Sequence, residues 1–183
     1  GIDAADGELA RLKNTPSYSG RYLDSVFDII LNFMFFMTIC YMSNSTIWYA
    51  SLAFICIQLQ GTLYNYYYVI LRNKSVGGDA TSKIFEYKTP KALPGESQKL
   101  VTVLFGIYNI VYGLFDKVIH LLDSNAYKIK TFPNWFMTLV SLYGLGFQLL
   151  IIATLLTFGF IEFIVPFFIL YSIGKIEYFL EVL

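Results

Sequence analysis

The sequence predicts an all-α fold, a polytopic transmembrane helix bundle, on three observations. Residues of the set AVILMFWYC make up 56% of the 183 residues, and only 14% are charged, whereas an average soluble domain carries roughly 25% charged residues. The mean hydropathy is +0.57. The apolar residues also come in long blocks. This composition excludes a disordered chain, a nucleic-acid binder and a secreted disulfide scaffold.

Each apolar block is long enough to cross a bilayer, since a transmembrane helix needs about 20 predominantly apolar residues. The first four blocks each predict one span. The fifth follows a turn predicted at Gly159 and contains Pro166, so the number of spans after residue 158 stays open. The blocks cover residues 23–42, 47–71, 100–122, 132–158 and 160–183.

The distribution of basic residues predicts how the bundle is oriented. Lys and Arg accumulate in short cytoplasmic loops. Nine of them precede residue 24 or lie in the connection 72–99, whereas the connection 123–132 holds two. We therefore expect the first segment and the loop 72–99 on the cytoplasmic side and the connection 123–132 opposite. On this topology Asp116 and His120 lie at the outer interface, away from a cytoplasmic site.

The tyrosine-rich run 64–68 and Arg72, near the end of the second block, each have two possible interpretations. The tyrosine-rich run 64–68 predicts an interfacial aromatic belt, with Asn65 and Tyr68 as candidates for lining a polar cavity. Arg72 ends the span and is a candidate contact for an anionic acceptor or another phosphate group. The alternative for Arg72 is that it only enforces topology.

Four aspartates near the start of the chain come in two pairs with helical spacing. Asp3 and Asp6 are three residues apart and Asp24 and Asp28 are four apart, so each pair shares one face of a helix. Two facing helices would bring the four carboxylates together, and acids within a membrane usually face a cavity. Oxygen ligands suit Mg²⁺, Mn²⁺ or Ca²⁺, and two such ions about 3.5–4 Å apart suit phosphoryl chemistry. A plain helix cap is the alternative for either later aspartate.

The residues between the two pairs suit a phosphorylated ligand. Gly7 lacks a side chain, so a ligand can approach the helix backbone. Ala10 lies on the same face and keeps that surface shallow, and the planar guanidinium of Arg11 can hold a phosphate. A cation transporter, the non-enzymatic alternative, does not require these three residues.

The string D-x2-D-G-x2-A-R-x8-G-x3-D-x3-D, over residues 3–28, resembles the full signature of the CDP-alcohol phosphotransferase (phosphatidyltransferase) family. All eight of its positions are present, with Gly20 completing the set. The resemblance implies an integral membrane enzyme that transfers a phosphoalcohol group from a CDP-alcohol to an acceptor hydroxyl and releases CMP. It also implies a six-helix core, of which two helices would precede Asp3. We therefore expect this chain to be N-terminally truncated relative to that core.

The resemblance also implies the role of each signature residue. Two divalent metal ions, Mg²⁺ or Mn²⁺, would be held by the four aspartates, and the last of these, Asp28, would be the base that deprotonates the acceptor. The nucleotide would lie against the glycine, alanine and arginine. In this sequence the metal ligands are then Asp3, Asp6, Asp24 and Asp28, and the nucleotide contacts are Gly7, Ala10 and Arg11.

These observations predict a single membrane-embedded catalytic domain over residues 1–183, with its active site on the cytoplasmic side. The expected reaction belongs to phospholipid synthesis and transfers a phosphatidyl group from CDP-diacylglycerol to an acceptor alcohol. The alternative is a soluble donor of the CDP-choline or CDP-ethanolamine type, with diacylglycerol as acceptor. Since many relatives pair, we expect a homodimer surrounded by membrane lipids.

Overall fold

A computed structural model describes residues 17–74, 86, 88–123, 125–128 and 132–172. Across these ranges the fold is helical and contains no strand, which confirms the predicted all-α class. Two short 3-10 helices also occur, Ala126–Lys128 and Ile161–Phe163. The seven helices within the described ranges are α1 (Tyr18–Met42), α2 (Ile47–Lys74), α3 (Gln98–Val111), α4 (Gly113–Leu122), α5 (Asn134–Ser141), α6 (Leu145–Thr157) and α7 (Ile161–Ser172).

The helices follow the apolar blocks, but two blocks are bent. Among the described residues α1 is the one helix that is long and apolar enough to cross a membrane by itself. The third block forms α3 and α4 with a bend of 54°, and the fourth forms α5 and α6 with a bend of 47°. If each bent pair counts as one span, there are up to three spans in the described ranges, fewer than the four predicted.

Many large apolar side chains on α1 point away from the rest of the bundle. Phe27, Leu31 and Met34 are each more than half exposed. Exposing an apolar surface of this kind to water costs free energy, whereas contact with lipid tails does not. The exposed face of α1 is therefore the kind of surface that a membrane-embedded helix presents.

Three clusters of buried side chains hold the helices together. The first half of α1 packs against α3, while its second half and the first half of α2 pack against α6 and α7. The second half of α2 packs against α4 and α5. The predicted turn at Gly159 is confirmed, since this glycine adopts a φ of 75° between α6 and α7. Only glycine takes that backbone conformation without strain.

The segment after α4 does not lie where the charge distribution predicted. The Tyr67 hydroxyl donates to the Asp123 carboxylate at 2.7 Å, and the Tyr66 hydroxyl donates to the Asp123 main-chain carbonyl at 2.9 Å. Both tyrosines belong to the C-terminal half of α2, the half that leads into the connection 72–99. The connection 123–132 therefore starts beside that half of α2, and the prediction that it lies on the opposite side is wrong.

The same hydrogen bonds change the interpretation of the tyrosine-rich run. Tyr66 and Tyr67 are buried against α4 and α5, so the predicted interfacial belt is wrong for these two residues. Asn65 and Tyr68 are exposed. The buried hydroxyls take partners on a neighbouring segment because a buried polar group without a hydrogen bond is costly.

A second polar cluster joins α2, α6 and α7 inside the bundle. The Gln148 Nε2 atom lies 3.0 Å from the Tyr143 carbonyl and 3.3 Å from both the Ile57 carbonyl and the Gln60 Oε1 atom. The Gln60 amide donates to the Ser172 hydroxyl at 2.6 Å. Side-chain hydrogen bonds of this kind are a main source of helix association where lipid replaces water.

We predict that Gln148→Leu lowers the free energy of unfolding by about 1–3 kcal/mol, because it leaves buried acceptors without a donor. The measurement is reversible unfolding of the full chain in detergent micelles. Thr154→Val on the same helix is the control, since its exposed hydroxyl bonds only to the Leu150 carbonyl one turn earlier. Equal stability of the two variants would contradict the prediction.

Candidate functional site

The site begins at the N-terminal end of α1, where two signature aspartates lie in the described part of the chain. Asp24 is exposed and Asp28 is half-buried, and both occur inside the helix. Residues four apart on a helix have Cβ atoms roughly 5–6 Å from one another on the same face. The pair was predicted to share one helical face, and the helix Tyr18–Met42 meets that condition. A plain capping role does not apply to either residue, since Ser17 is the N-cap.

The signature glycine at position 20 lies in the first turn of α1, next to this cap. The Ser17 hydroxyl accepts a hydrogen bond from the Gly20 backbone N–H at 2.9 Å. A Cβ atom added to Gly20 would lie 3.2 Å from that hydroxyl oxygen, tighter than nine in ten real Cβ contacts. The absence of a side chain here keeps room for the N-cap.

A carboxylate from a distant part of the chain completes the cap. Glu96, in the connection between α2 and α3, accepts hydrogen bonds from the Ser17 hydroxyl at 2.9 Å and from the backbone N–H groups of Tyr18 and Ser19 at 3.2 and 2.7 Å. The Ser19 hydroxyl also donates to it. Burial acts to raise the pKa of Glu96, but these hydrogen bonds to the charged form outweigh it and lower the pKa to about 2.

A second glutamate from the same connection contacts the side of α1. The buried carboxylate of Glu86 forms an ion pair with Arg21 and accepts a hydrogen bond from the Tyr22 hydroxyl. The Arg21 guanidinium also lies over the Tyr22 ring, 4.7 Å from its centroid. The ring of Tyr108 from α3 lies 5.1 Å from the Tyr22 ring and 6.0 Å from the same guanidinium. This arrangement places an aromatic and charged cluster one turn before Asp24.

The bend between α3 and α4 brings a further acid toward this cluster. The Tyr108 hydroxyl donates to the Asp116 carboxylate at 3.4 Å. Tyr112, at the bend, interacts electrostatically with Asp116 and with both aspartates of α1. The prediction that Asp116 lies opposite the aspartate site is therefore wrong. After the bend at Val111, α4 packs beside the second half of α2.

The remaining candidate residues lie elsewhere. Arg72 is half-buried in the last turns of α2. Asp3, Asp6, Gly7, Ala10 and Arg11 lie outside the described residues. Sequence reasoning missed Glu86, Glu96 and Tyr112. Both glutamates lie in a polar connection, and their partners are 64 to 79 residues away in the chain, so no local pattern points to them.

The carboxylate oxygens of Asp24 and Asp28 suit a divalent metal ion. Two carboxylates on successive turns supply hard oxygen ligands of the kind that Mg²⁺ and Mn²⁺ prefer. Within the described ranges no group of three or more His, Cys, Asp or Glu residues converges, and Asp3 and Asp6 lie outside those ranges. The pair fits half of a four-carboxylate metal site.

The described helices form an apolar bundle with paired carboxylates near the start of the first one, as expected of a membrane-associated protein whose site binds a cation or a phosphate group. A family model described as CDP-alcohol phosphatidyltransferase matches residues 1–158. The chain therefore belongs to the CDP-alcohol phosphatidyltransferase family, which confirms the resemblance in the signature and supports a phosphatidyl-transfer activity. Comparison with curated proteins and with solved structures found no match.

The low pKa of Glu96 predicts a defined pH dependence of stability. Because the pKa is lowered in the folded state, the stabilising effect is fully present above the ordinary value of 4.5 and is lost as the pH falls toward about 2. We expect the difference in unfolding midpoint between the parent chain and Glu96→Gln to shrink over that interval. Unfolding in detergent at several pH values measures it.

The control for this series is Glu162→Gln, which changes an exposed glutamate at the start of α7. Its difference from the parent should stay small. If the difference for Glu96→Gln grew on acidification, the cap described for Glu96 would be contradicted.

Proposed function

We propose that this chain is a phosphatidyltransferase of phospholipid synthesis, which transfers a phosphatidyl group from CDP-diacylglycerol to an acceptor alcohol and releases CMP. The observation that carries the proposal is the position of Asp24 and Asp28, one turn apart on an apolar helix, inside a signature that the family model covers. The proposed catalytic unit is one membrane-embedded domain over residues 1–183, with its site open to the cytoplasm.

In the proposed mechanism Asp3, Asp6, Asp24 and Asp28 would hold two divalent metal ions, Mg²⁺ or Mn²⁺. When bound, these ions neutralise charge on the pyrophosphate and stabilise CMP as the leaving group. Gly7 and Ala10 would leave room for the nucleotide, and Arg11 would hold a phosphate.

Asp28 is the proposed base. It is half-buried and lies one turn further into the bundle than Asp24, where an acceptor hydroxyl can meet the reacting phosphorus. Asp28 takes the hydroxyl proton as the acceptor oxygen bonds to the phosphorus of the phosphatidyl group. The bond to the CMP oxygen breaks, and CMP leaves with that electron pair. Positioning supplies most of the rate, because a metal-bound carboxylate is a weak base.

An apolar groove beside α1 supports a lipid substrate. The groove has a volume of about 240 Å³ and begins at Leu31 and Asn32, one turn beyond Asp28. Phe35 and Phe36 continue it along α1, and Leu145 and Leu149 of α6 form the opposite wall. This apolar lining suits an acyl chain, whose headgroup would then lie at the carboxylates of Asp24 and Asp28. Arg72 is the proposed contact for a phosphate on the acceptor.

We predict that Asp28→Asn lowers kcat at least 100-fold with little change in KM for the donor, since a general base contributes about 10²–10⁴-fold. Asp24→Asn and Asp28→Asn should both raise the Mn²⁺ concentration needed for half-maximal rate, since both residues are proposed ligands, and the loss of kcat in Asp28→Asn should persist at saturating Mn²⁺. The measurement is CMP release by the full chain in lipid nanodiscs, with Glu162→Gln as the matched acidic control. Near-parental kcat in Asp28→Asn would contradict the role of Asp28.

The donor assignment predicts CMP release with CDP-diacylglycerol and a panel of water-soluble alcohols, plain and phosphorylated. CDP-choline or CDP-ethanolamine with diacylglycerol should give less than a tenth of that rate. The lipid groove serves either arrangement, so only this comparison of donors separates them. A faster reaction with the soluble donors would overturn the proposed direction and leave the family membership intact.

A further inference from the structure

We propose that Glu86 and Glu96 are positioning residues for α1, which together clamp its first turn so that Asp24 and Asp28 keep their place in the site. Both glutamates belong to the connection between α2 and α3, of which residues 86 and 88–97 are described. Neither residue is part of the signature. The inference rests on the proposed function, since it gives the clamp a role through the two aspartates.

Glu96 fixes the end of α1. The first backbone N–H groups of a helix have no partner within the helix, and negative charge at that end is favourable. Glu96 supplies both an acceptor and a charge, through its contacts with the backbone of Tyr18 and Ser19 and with the hydroxyls of Ser17 and Ser19. Glu96 also accepts a hydrogen bond from the Leu93 backbone N–H at 3.2 Å, a contact within the connection itself.

Glu86 fixes the side of α1. Its side chain is 6% exposed and pairs with Arg21, while the same oxygen accepts from the Tyr22 hydroxyl. On a helix with about 100° per residue, positions 21, 24 and 28 fall within roughly 60° of each other. Arg21 therefore shares its face with Asp24 and Asp28, and an anchor on Arg21 sets the direction in which that face points.

Two anchors at different points constrain both the axial position and the rotation of α1. The rotation matters because a turn of about 20° would move a carboxylate lying roughly 6 Å from the helix axis by about 2 Å. A misplacement of only about 1 Å can cost 100-fold in rate at a reacting centre. The apolar contacts of α1 are non-directional, so they do not set its rotation as sharply as these hydrogen bonds do.

The test uses the full chain in nanodiscs with Glu86→Gln, Glu96→Gln and Glu96→Ala, and Glu162→Gln as the control. The readouts are Mn²⁺ binding by electron paramagnetic resonance and hydrogen exchange of the α1 amides in the metal-free protein. We expect faster exchange in the first turns of α1 and a rise of at least fivefold in the Mn²⁺ dissociation constant for Glu86→Gln and Glu96→Ala. Glu96→Gln should be intermediate, because its amide oxygen still accepts hydrogen bonds.

The outcomes separate the clamp from the proposed metal site. Unchanged exchange in the glutamate variants would overturn the clamp, and so would faster exchange with Mn²⁺ affinity within twofold of the parent, which is what a merely structural role predicts. If Asp24→Asn and Asp28→Asn bound Mn²⁺ as tightly as the parent, the proposed metal site would fail. The exchange data would then decide only whether the two glutamates hold the start of α1: faster exchange would support this contact role, and unchanged exchange would overturn it.

Discussion

Two carboxylates one turn apart on an apolar helix carry an energetic cost, and the surrounding structure depends on how they are placed. A charged side chain in a hydrocarbon environment is expensive, so such residues face a cavity, a partner or a metal. Here Asp24 and Asp28 lie near the start of α1, whose outer surface carries large exposed apolar side chains. The start of α1 must therefore place these carboxylates in a cavity, while large apolar side chains of the same helix remain exposed.

Hydrogen bonds supply the directionality that this arrangement requires. Burial of apolar groups does not distinguish one rotation of a helix from another as well as a bond between two specific atoms does. Glu96 at the end of α1 and Glu86 at its side provide such bonds next to the aspartates. Further inside the bundle, Gln60, Gln148 and Ser172 do the same for α2, α6 and α7.

Sequence reasoning succeeded where one residue type or one local pattern carries the information. Apolar blocks of sufficient length predicted helices, and the left-handed conformation at Gly159 follows from a glycine between two such blocks. The signature over residues 3–28 predicted the family that the chain belongs to. The predicted position of Asp116 was wrong, because a hydropathy pattern does not show where a helix bends. The bend at Tyr112 and the hydrogen bond from Tyr108 bring Asp116 toward α1.

By itself the sequence determined the helical class, the family and the identity of the signature residues, because spacing along a helix and apolar length are local properties of the chain. Only the tertiary structure decided that Asp123 pairs with the tyrosines of α2, that Asp116 lies on the side of the aspartates, and that Glu86 and Glu96 hold α1. These are contacts between residues far apart in the chain, and each depends on the three-dimensional direction of a side chain. Local patterns in the sequence do not show that direction, because it is set only when the helices pack against one another.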